Sequence, residues 1–208
     1  MITFVSVIEF LGTLAFAISG IRWAAYKHFD WFGGYVVGLA TAIGGGTIRD
    51  VMLGVPPFWM TNAIYIICTG AALVMAILFK KVLFHFSNTW FLFDTLGLGL
   101  FTVAGIEKTL AAGFPLWVAI IMGTITGAAG GVIRDVFINE VPLIFRKEIY
   151  AMACIMGGVA YKVCQWMGLG MEITVIASFV TVVVIRLLAV KYHISLPHLD
   201  NSEDNGQE

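Results

Sequence analysis

Seven long runs of apolar residues limit the fold of this chain more than any other feature. They cover approximately residues 3–21, 32–53, 62–79, 90–106, 115–138, 149–166 and 171–190. A helix needs about 20 mostly apolar residues to cross the hydrocarbon core of a bilayer. Backbone groups in lipid must bond to one another, and the runs are apolar on both alternating sets of positions, so we expect helices rather than strands. The sequence therefore predicts an all-α, polytopic membrane protein with seven transmembrane helices.

Composition excludes the main soluble classes. The chain of 208 residues is 60% hydrophobic and 12% charged, whereas an ordinary soluble domain has roughly 45–50% apolar and 25% charged residues. A soluble enzyme, a nucleic-acid-binding domain and a disordered linker are therefore all disfavoured. We expect membrane lipids, and no nucleic acid, as partners.

The breaks between the runs carry an uneven distribution of basic residues, which predicts the orientation. One side holds only Lys108 and Lys162, and the other holds Arg22, Lys27, Lys80, Lys81, Arg146, Lys147, Arg186 and Lys191. Because cytoplasmic loops carry the excess of Lys and Arg, we expect the N-terminus outside and the C-terminus, with a polar tail over 195–208, in the cytoplasm. This bias fits a bacterial inner (plasma) membrane. Lys162, Glu172 and Arg186 lie near the ends of their runs and are expected to be interfacial anchors.

An internal duplication becomes visible when the chain is aligned with itself at an offset of 85 residues. The segment from Gly45 to Val51 reads GGTIRDV, and the segment from Gly130 to Val136 reads GGVIRDV. The offset moves the first run onto the fourth, which is three crossings, so the second copy is expected to be upside down. We predict one membrane domain over 1–190: repeat one at about 3–79, an inverted repeat two at about 88–166, and a seventh helix at about 171–190. Inverted repeats recur in transport proteins, with the pathway at the interface between the repeats.

Glycine runs lie near the middle of the second and fifth apolar runs. They comprise Gly44, Gly45 and Gly46 in the first copy, and Gly130 and Gly131 in the second. Small residues allow neighbouring helices to pack closely, whereas a bend at such a weak point would expose backbone carbonyls to a cavity. The recurrence in both copies, just before an Arg-Asp pair, favours a functional bend, although close packing is compatible with it.

Six charged residues fall within the apolar runs, where each costs about 2.5–3.5 kcal/mol at the centre of a helix. They are Glu9, Arg49, Asp50, Asp94, Arg134 and Asp135. At a rise of about 1.5 Å per residue, their depths predict two clusters. Glu9 would join Arg49 and Asp50 near the outer face, and Asp94 would join Arg134 and Asp135 near the cytoplasmic face. The clusters are either static salt bridges between helices or the lining and constriction of an aqueous path for a cation.

Motifs of enzyme chemistry are not found in the sequence. The glycine-rich segment before Asp50 lacks the Lys-Ser/Thr ending of a phosphate-binding loop, and neither GxSxG nor HExxH occurs. We therefore expect a protein that is not an enzyme, with no cofactor and no metal site.

The paired signatures GGGTIRDVMLG and GAAGGVIRDVF, each followed by a proline, resemble those of the bacterial members of the trimeric intracellular cation (TRIC) channel family. This paired-domain family has also been labelled a glycine transporter domain. The resemblance covers about residues 5–190. It implies a homotrimer with a separate pore in each protomer, bounded by the kinked second and fifth helices. It also implies conduction of monovalent cations, with potassium as the main ion. We expect potassium or sodium as the permeant ion. A secondary transporter of a small zwitterion such as glycine is the alternative, since an inverted repeat suits a carrier equally well.

Overall fold

All regular structure in the described part of the chain is helical. The structure is a computed structural model that describes residues 4–80, 89–145 and 149–194. The expectations for Lys81, Arg146, Lys147 and the tail over 195–208 concern residues outside those ranges.

The helices follow the apolar runs closely. In chain order they are α1 (Phe4–Tyr26), α2 (Trp31–Met52), α3 (Phe58–Thr61), α4 (Ile64–Leu78), α5 (Thr89–Ala111), α6 (Leu116–Phe137), α7 (Ala151–Trp166) and α8 (Met171–Lys191), with a 3₁₀ turn at Leu143–Phe145 between α6 and α7. An all-helical fold is thus confirmed for the described residues. Five of these helices, α1, α2, α5, α6 and α8, are long and apolar enough to cross a membrane.

Two helices are shorter than the expected spans. Helix α4 has 15 residues and α7 has 16, against about 20 needed for a perpendicular crossing. A short helical segment precedes each of them: α3 before α4, and the 3₁₀ turn before α7. The arrangement of seven complete spans therefore stays a prediction.

Helices α1 and α5 extend beyond their apolar runs, to Tyr26 and Ala111 rather than to 21 and 106. Hydropathy marks the depth of a residue in the bilayer, whereas a helix ends only where the backbone geometry changes. After α1 the chain turns at His28, whose φ is 60°, and after α5 it turns at Gly113, whose φ is 85°. The Asp30 carboxylate then caps α2 by accepting a 2.7 Å hydrogen bond from the Gly33 N–H.

A four-helix centre of α1, α2, α5 and α6 forms the core, and α8 packs on its flank against α5 and α7. The centre contains contacts that are equivalent when the chain is shifted by 85 residues. The rings of Phe16 and Phe101 stack with their centroids 5.4 Å apart. Gly12 lies against the Phe101 ring, and Gly97 lies against the Phe16 ring. Reciprocity of this kind is expected of two similar units packed about a local twofold axis.

Candidate functional site

The first charge cluster consists of Glu9, Arg49, Asp50 and Lys108. Arg49 Nη2 lies 2.9 Å from Glu9 Oε1, and its Nε donates a 2.8 Å hydrogen bond to Asp50 Oδ1. The second oxygen of Asp50 accepts a 2.8 Å hydrogen bond from the backbone N–H of Phe58. This bond fixes α3 against the end of α2. The guanidinium is fully buried, so its charge is compensated by carboxylates rather than by water.

Lys108 completes this cluster from the last turn of α5. Its Nζ lies 2.7 Å from Glu9 Oε1 and 5.4 Å from the centroid of the Phe58 ring. The Lys108 side chain is 29% exposed, whereas that of Glu9 is 3% exposed. The Tyr65 hydroxyl lies 3.4 Å from the other Glu9 oxygen. Glu9 is therefore shared between a buried and a half-buried cation.

The second charge cluster consists of Asp94, Arg134, Asp135 and Arg186. Arg134 Nη1 donates to Asp94 Oδ1 and, over 2.9 Å, to Ser19 Oγ. Its Nε donates a 2.9 Å hydrogen bond to Asp135 Oδ1. Asp135 Oδ2 accepts a 2.9 Å hydrogen bond from the backbone N–H of Leu143 in the 3₁₀ turn.

The contacts of one cluster recur in the other at an offset of 85 residues. Arg49 with Glu9 corresponds to Arg134 with Asp94. The tyrosine contacts correspond as well, because the Tyr150 hydroxyl lies 3.4 Å from Asp94 Oδ1. The structure thus brings the six charged residues expected from the sequence into the two expected groups. Their depths in the membrane and their part in conduction stay predictions.

The fourth member of each cluster breaks the correspondence. Trp23, not a cation, stands 85 positions before Lys108. In the second cluster the additional cation is Arg186 from α8, whose Nη2 lies 3.9 Å from Asp94 Oδ2. Its guanidinium carbon lies 5.0 Å and 4.8 Å from the ring centroids of Phe91 and Tyr150.

The expectation that Arg186 is an interfacial anchor is wrong, because this side chain is 0% exposed and faces Asp94. Nearness to the end of an apolar run predicts depth but not which face of the helix packs inward. Lys108 was expected in a loop, yet it lies within α5 because that helix continues to Ala111. Tyr65 and Tyr150 were also missed as site residues. Tyr65 and Tyr150 are themselves 85 positions apart, and this match between the two copies is the signal by which they could have been identified.

The glycine runs lie where α2 and α6 pack together. A Cβ at Gly45 would overlap the carbonyl oxygen of Thr126, and a Cβ at Gly130 would overlap that of Thr41. Gly44 lies against Ile133, Gly46 against Phe58, and Gly131 against the Tyr150 hydroxyl. Both helices are α-helical from end to end, including the glycines. The glycines therefore allow close helix packing, and a functional bend at them stays a prediction.

A cavity of about 590 Å³ opens beside the first charge cluster. Its described lining includes the side chains of Glu9, Asp50, Tyr65, Glu107 and Lys108. Glu107 is another buried carboxylate, and its Oε1 accepts a 2.7 Å hydrogen bond from the Tyr161 hydroxyl. The carboxylates of the first cluster thus form part of the polar wall of this cavity.

Five helices are long and apolar enough to cross a membrane, and each half of the chain contains a buried Arg-Asp pair. The class of protein is therefore a polytopic membrane protein built from two similar halves. Comparison with known proteins agrees: a family model described as "Glycine transporter" matches residues 6–81 and 91–166. The chain belongs to this family, and the resemblance to bacterial TRIC channels seen in the sequence is confirmed.

Curated relatives extend over nearly the whole chain. The "UPF0126 membrane protein" of Vibrio cholerae is 39% identical, over 91% of this chain and 80% of its own length. The "UPF0126 inner membrane protein YadS" of Escherichia coli K12 is 36% identical, over 91% of this chain and 93% of its own length.

Solved structures share the fold. The TRIC trimeric intracellular cation channel orthologue of Rhodobacter sphaeroides superposes with a TM-score of 0.85 at 30% identity, covering 91% of this chain and 98% of that one. A TRIC structure described as giving the basis for conductance superposes with a TM-score of 0.83 at 31% identity, covering 96% and 98%.

Proposed function

We propose that this protein is a channel for monovalent cations, with potassium as the main permeant ion and sodium as another. The observation that carries the proposal is the match, at 30% and 31% identity and over more than nine tenths of each chain, to solved structures described as TRIC cation channels. Buried carboxylates beside a cavity support it, because rings of Asp and Glu favour cations in channels.

The conducting path in this proposal runs between the two charge clusters. Glu9 and Asp50 face the cavity and attract a cation, while Arg49 offsets part of their charge. Asp94, Arg134 and Asp135 form the equivalent constriction at the other end. Bends of α2 and α6 at Gly44–Gly46 and at Gly130–Gly131 would widen the path between them. The recurrence of glycine runs in both copies supports bends at this place, because each glycine weakens a helix interior.

The proposed arrangement is two inverted three-helix repeats, at about 3–79 and 88–166, plus a seventh helix at about 171–190, all within one membrane domain over 1–190. The reciprocal contacts of Phe16 and Phe101, and of the two clusters, support a twofold relation between the repeats. The basic residues support an outer N-terminus and a cytoplasmic C-terminal tail over 195–208. A bacterial inner membrane is supported by the description of the Escherichia coli relative.

A homotrimer with one pore in each protomer is part of the same proposal. Its support is the description of the Rhodobacter sphaeroides orthologue as trimeric. We do not favour the carrier alternative, because the solved structures with 30% and 31% identity to this chain are described as channels. A glycine transporter is named only in the description of the family model.

The test is single-channel recording from purified protein in planar bilayers, with potassium as the only permeant cation. We expect unitary current steps. Glu9→Gln should reduce the unitary conductance, because it removes a carboxylate from the cavity wall. Glu172→Gln, which alters an exposed carboxylate at the start of α8, is the matched control and should leave the conductance unchanged.

Glycine uptake into proteoliposomes is the complementary measurement. Saturable uptake of labelled glycine without unitary potassium currents would contradict the channel and establish the carrier. Size-exclusion chromatography is the control for folding. A variant that elutes at the volume of the unchanged protein has kept its fold, so its loss of current is not caused by unfolding.

A further inference from the structure

The cavity beside the first charge cluster already contains one ammonium group, that of Lys108. Its Nζ lies 2.7 Å from Glu9 Oε1 and 5.4 Å from the centroid of the Phe58 ring. A carboxylate on one side and an aromatic face within about 6 Å on the other is the combination that binds organic ammonium ions. Lys108 therefore marks a formed ammonium site within the wall of the cavity.

The charge balance around the cavity leaves room for another cation. Of the described lining residues, Glu9, Asp50 and Glu107 carry carboxylates, and Lys108 carries the single positive charge. Arg49 lies behind the wall and is bonded to Glu9 and Asp50. Three negative charges against these two positive charges leave one uncompensated negative charge, which favours uptake of one monovalent cation.

The cavity has the size and the access that a small organic ligand needs. Its volume of about 590 Å³ falls within the range of about 300–1,000 Å³ found for ligand sites. The Lys108 side chain is 29% exposed, so it is held less firmly than the buried Arg49. A lysine stem is flexible and can leave its carboxylate when a competing ammonium arrives.

We propose that this cavity binds a primary alkylammonium ion, whose ammonium takes the place of Lys108 between Glu9 and Phe58 while its alkyl chain lies in the cavity. The binding itself stands on the geometry alone. Its consequence, block of current from the side on which the cavity opens, rests on the proposed function.

The test measures the dissociation constant of n-butylammonium. Its chloride salt is titrated into the purified full-length protein in detergent at constant ionic strength. The chain of n-butylammonium copies the end of a lysine side chain, and 1-butanol is the neutral control ligand. Lys108→Met removes the competing ammonium group, so we expect it to bind n-butylammonium about tenfold more tightly than the unchanged protein, a factor equal to about 1.4 kcal/mol. Lys162→Met, at an exposed lysine outside the described lining, is the matched control and should bind like the unchanged protein.

A second variant covers the case in which Lys108→Met does not fold. Glu107→Gln removes the uncompensated charge and keeps the shape of the side chain, so it should weaken the binding of n-butylammonium several-fold. Equal affinity of Lys108→Met and the unchanged protein, or of n-butylammonium and 1-butanol, would overturn the proposal. Binding of glycine as tight as that of n-butylammonium would also overturn it, because the site would then accept a zwitterion.

Failure of this inference and failure of the channel are distinguishable. Potassium currents together with no binding of n-butylammonium would reject the ammonium site alone. Binding together with no unitary current would reject the channel and leave the site.

Discussion

Arg186 Nη2 lies 3.9 Å from Asp94 Oδ2, so the last helix of the described chain supplies a charge to a cluster built by the duplicated halves. The first cluster receives its additional cation from Lys108, within the second repeat. Each cluster therefore contains two carboxylates and two cations, although the second cation comes from unrelated positions. Both acidic pairs are thus compensated, as expected from the cost of burying an unpaired charge in an apolar surrounding.

The first prediction concerns this contact. Arg186→Met should destabilise the protein by about 3–5 kcal/mol, the usual cost of removing one partner from a buried ion pair. Arg186→Lys should recover part of the loss, because it keeps the charge but not the guanidinium that lies over the rings of Phe91 and Tyr150. Thermal unfolding in detergent measures both variants. Lys191→Met, at an exposed lysine on the same helix, is the control; an equal effect of the two methionine variants would show that Arg186 contributes nothing specific.

The second prediction is an energetic coupling between Glu9 and Arg49. Arg49→Met leaves two carboxylates with only Lys108 beside them, and Glu9→Gln leaves Arg49 with Asp50 alone. The double variant removes both charges together, so it should be more stable than the sum of the two single losses by about 0.5–3 kcal/mol. The parallel cycle of Asp94→Asn and Arg134→Met should give a coupling of the same sign, since its contacts are equivalent. Strict additivity in both cycles would show that the ion pairs are energetically independent.

The pairing of the clusters could be predicted from the sequence because few partners exist at a given depth in lipid. A buried arginine requires a carboxylate, and the depths of the residues along their helices limited the choice to Glu9 for Arg49 and to Asp94 for Arg134. The helices could be predicted for a similar reason, since long apolar runs permit little else in a bilayer.

Arg186 could not be predicted, because it lies outside the repeats and its direction depends on how α8 packs against α5 and α7. Lys108 was placed in a loop because the apolar run ends before the helix does. The cavity is likewise a product of packing among side chains that are distant in sequence, and no local pattern indicates it.

The third prediction concerns the packing of α2 on α6. Gly45→Ala should destabilise the protein by about 1–3 kcal/mol or more, because the added Cβ meets the rigid carbonyl of Thr126 rather than a side chain that can move. Gly34→Ala on the same helix has no atom within 4 Å of its added Cβ and should gain up to about 1 kcal/mol from helix propensity. The difference between the unfolding temperatures of these two variants measures the contribution of the contact between α2 and α6. Similar effects for both alanines would mean that α2 and α6 separate easily at this point.

The last prediction concerns Glu107 at the edge of the cavity. Tyr161 donates a 2.7 Å hydrogen bond to Glu107 Oε1, and both residues are buried. Tyr161→Phe should therefore cost about 1–3 kcal/mol, because it leaves a buried carboxylate without its donor. Tyr35→Phe removes a longer, 3.4 Å bond to the Ile66 carbonyl and should cost less than about 0.5 kcal/mol. Equal losses in thermal unfolding would mean that water in the cavity replaces the tyrosine hydroxyl. Glu107 would then obtain its hydrogen bond from the cavity that it lines rather than from α7.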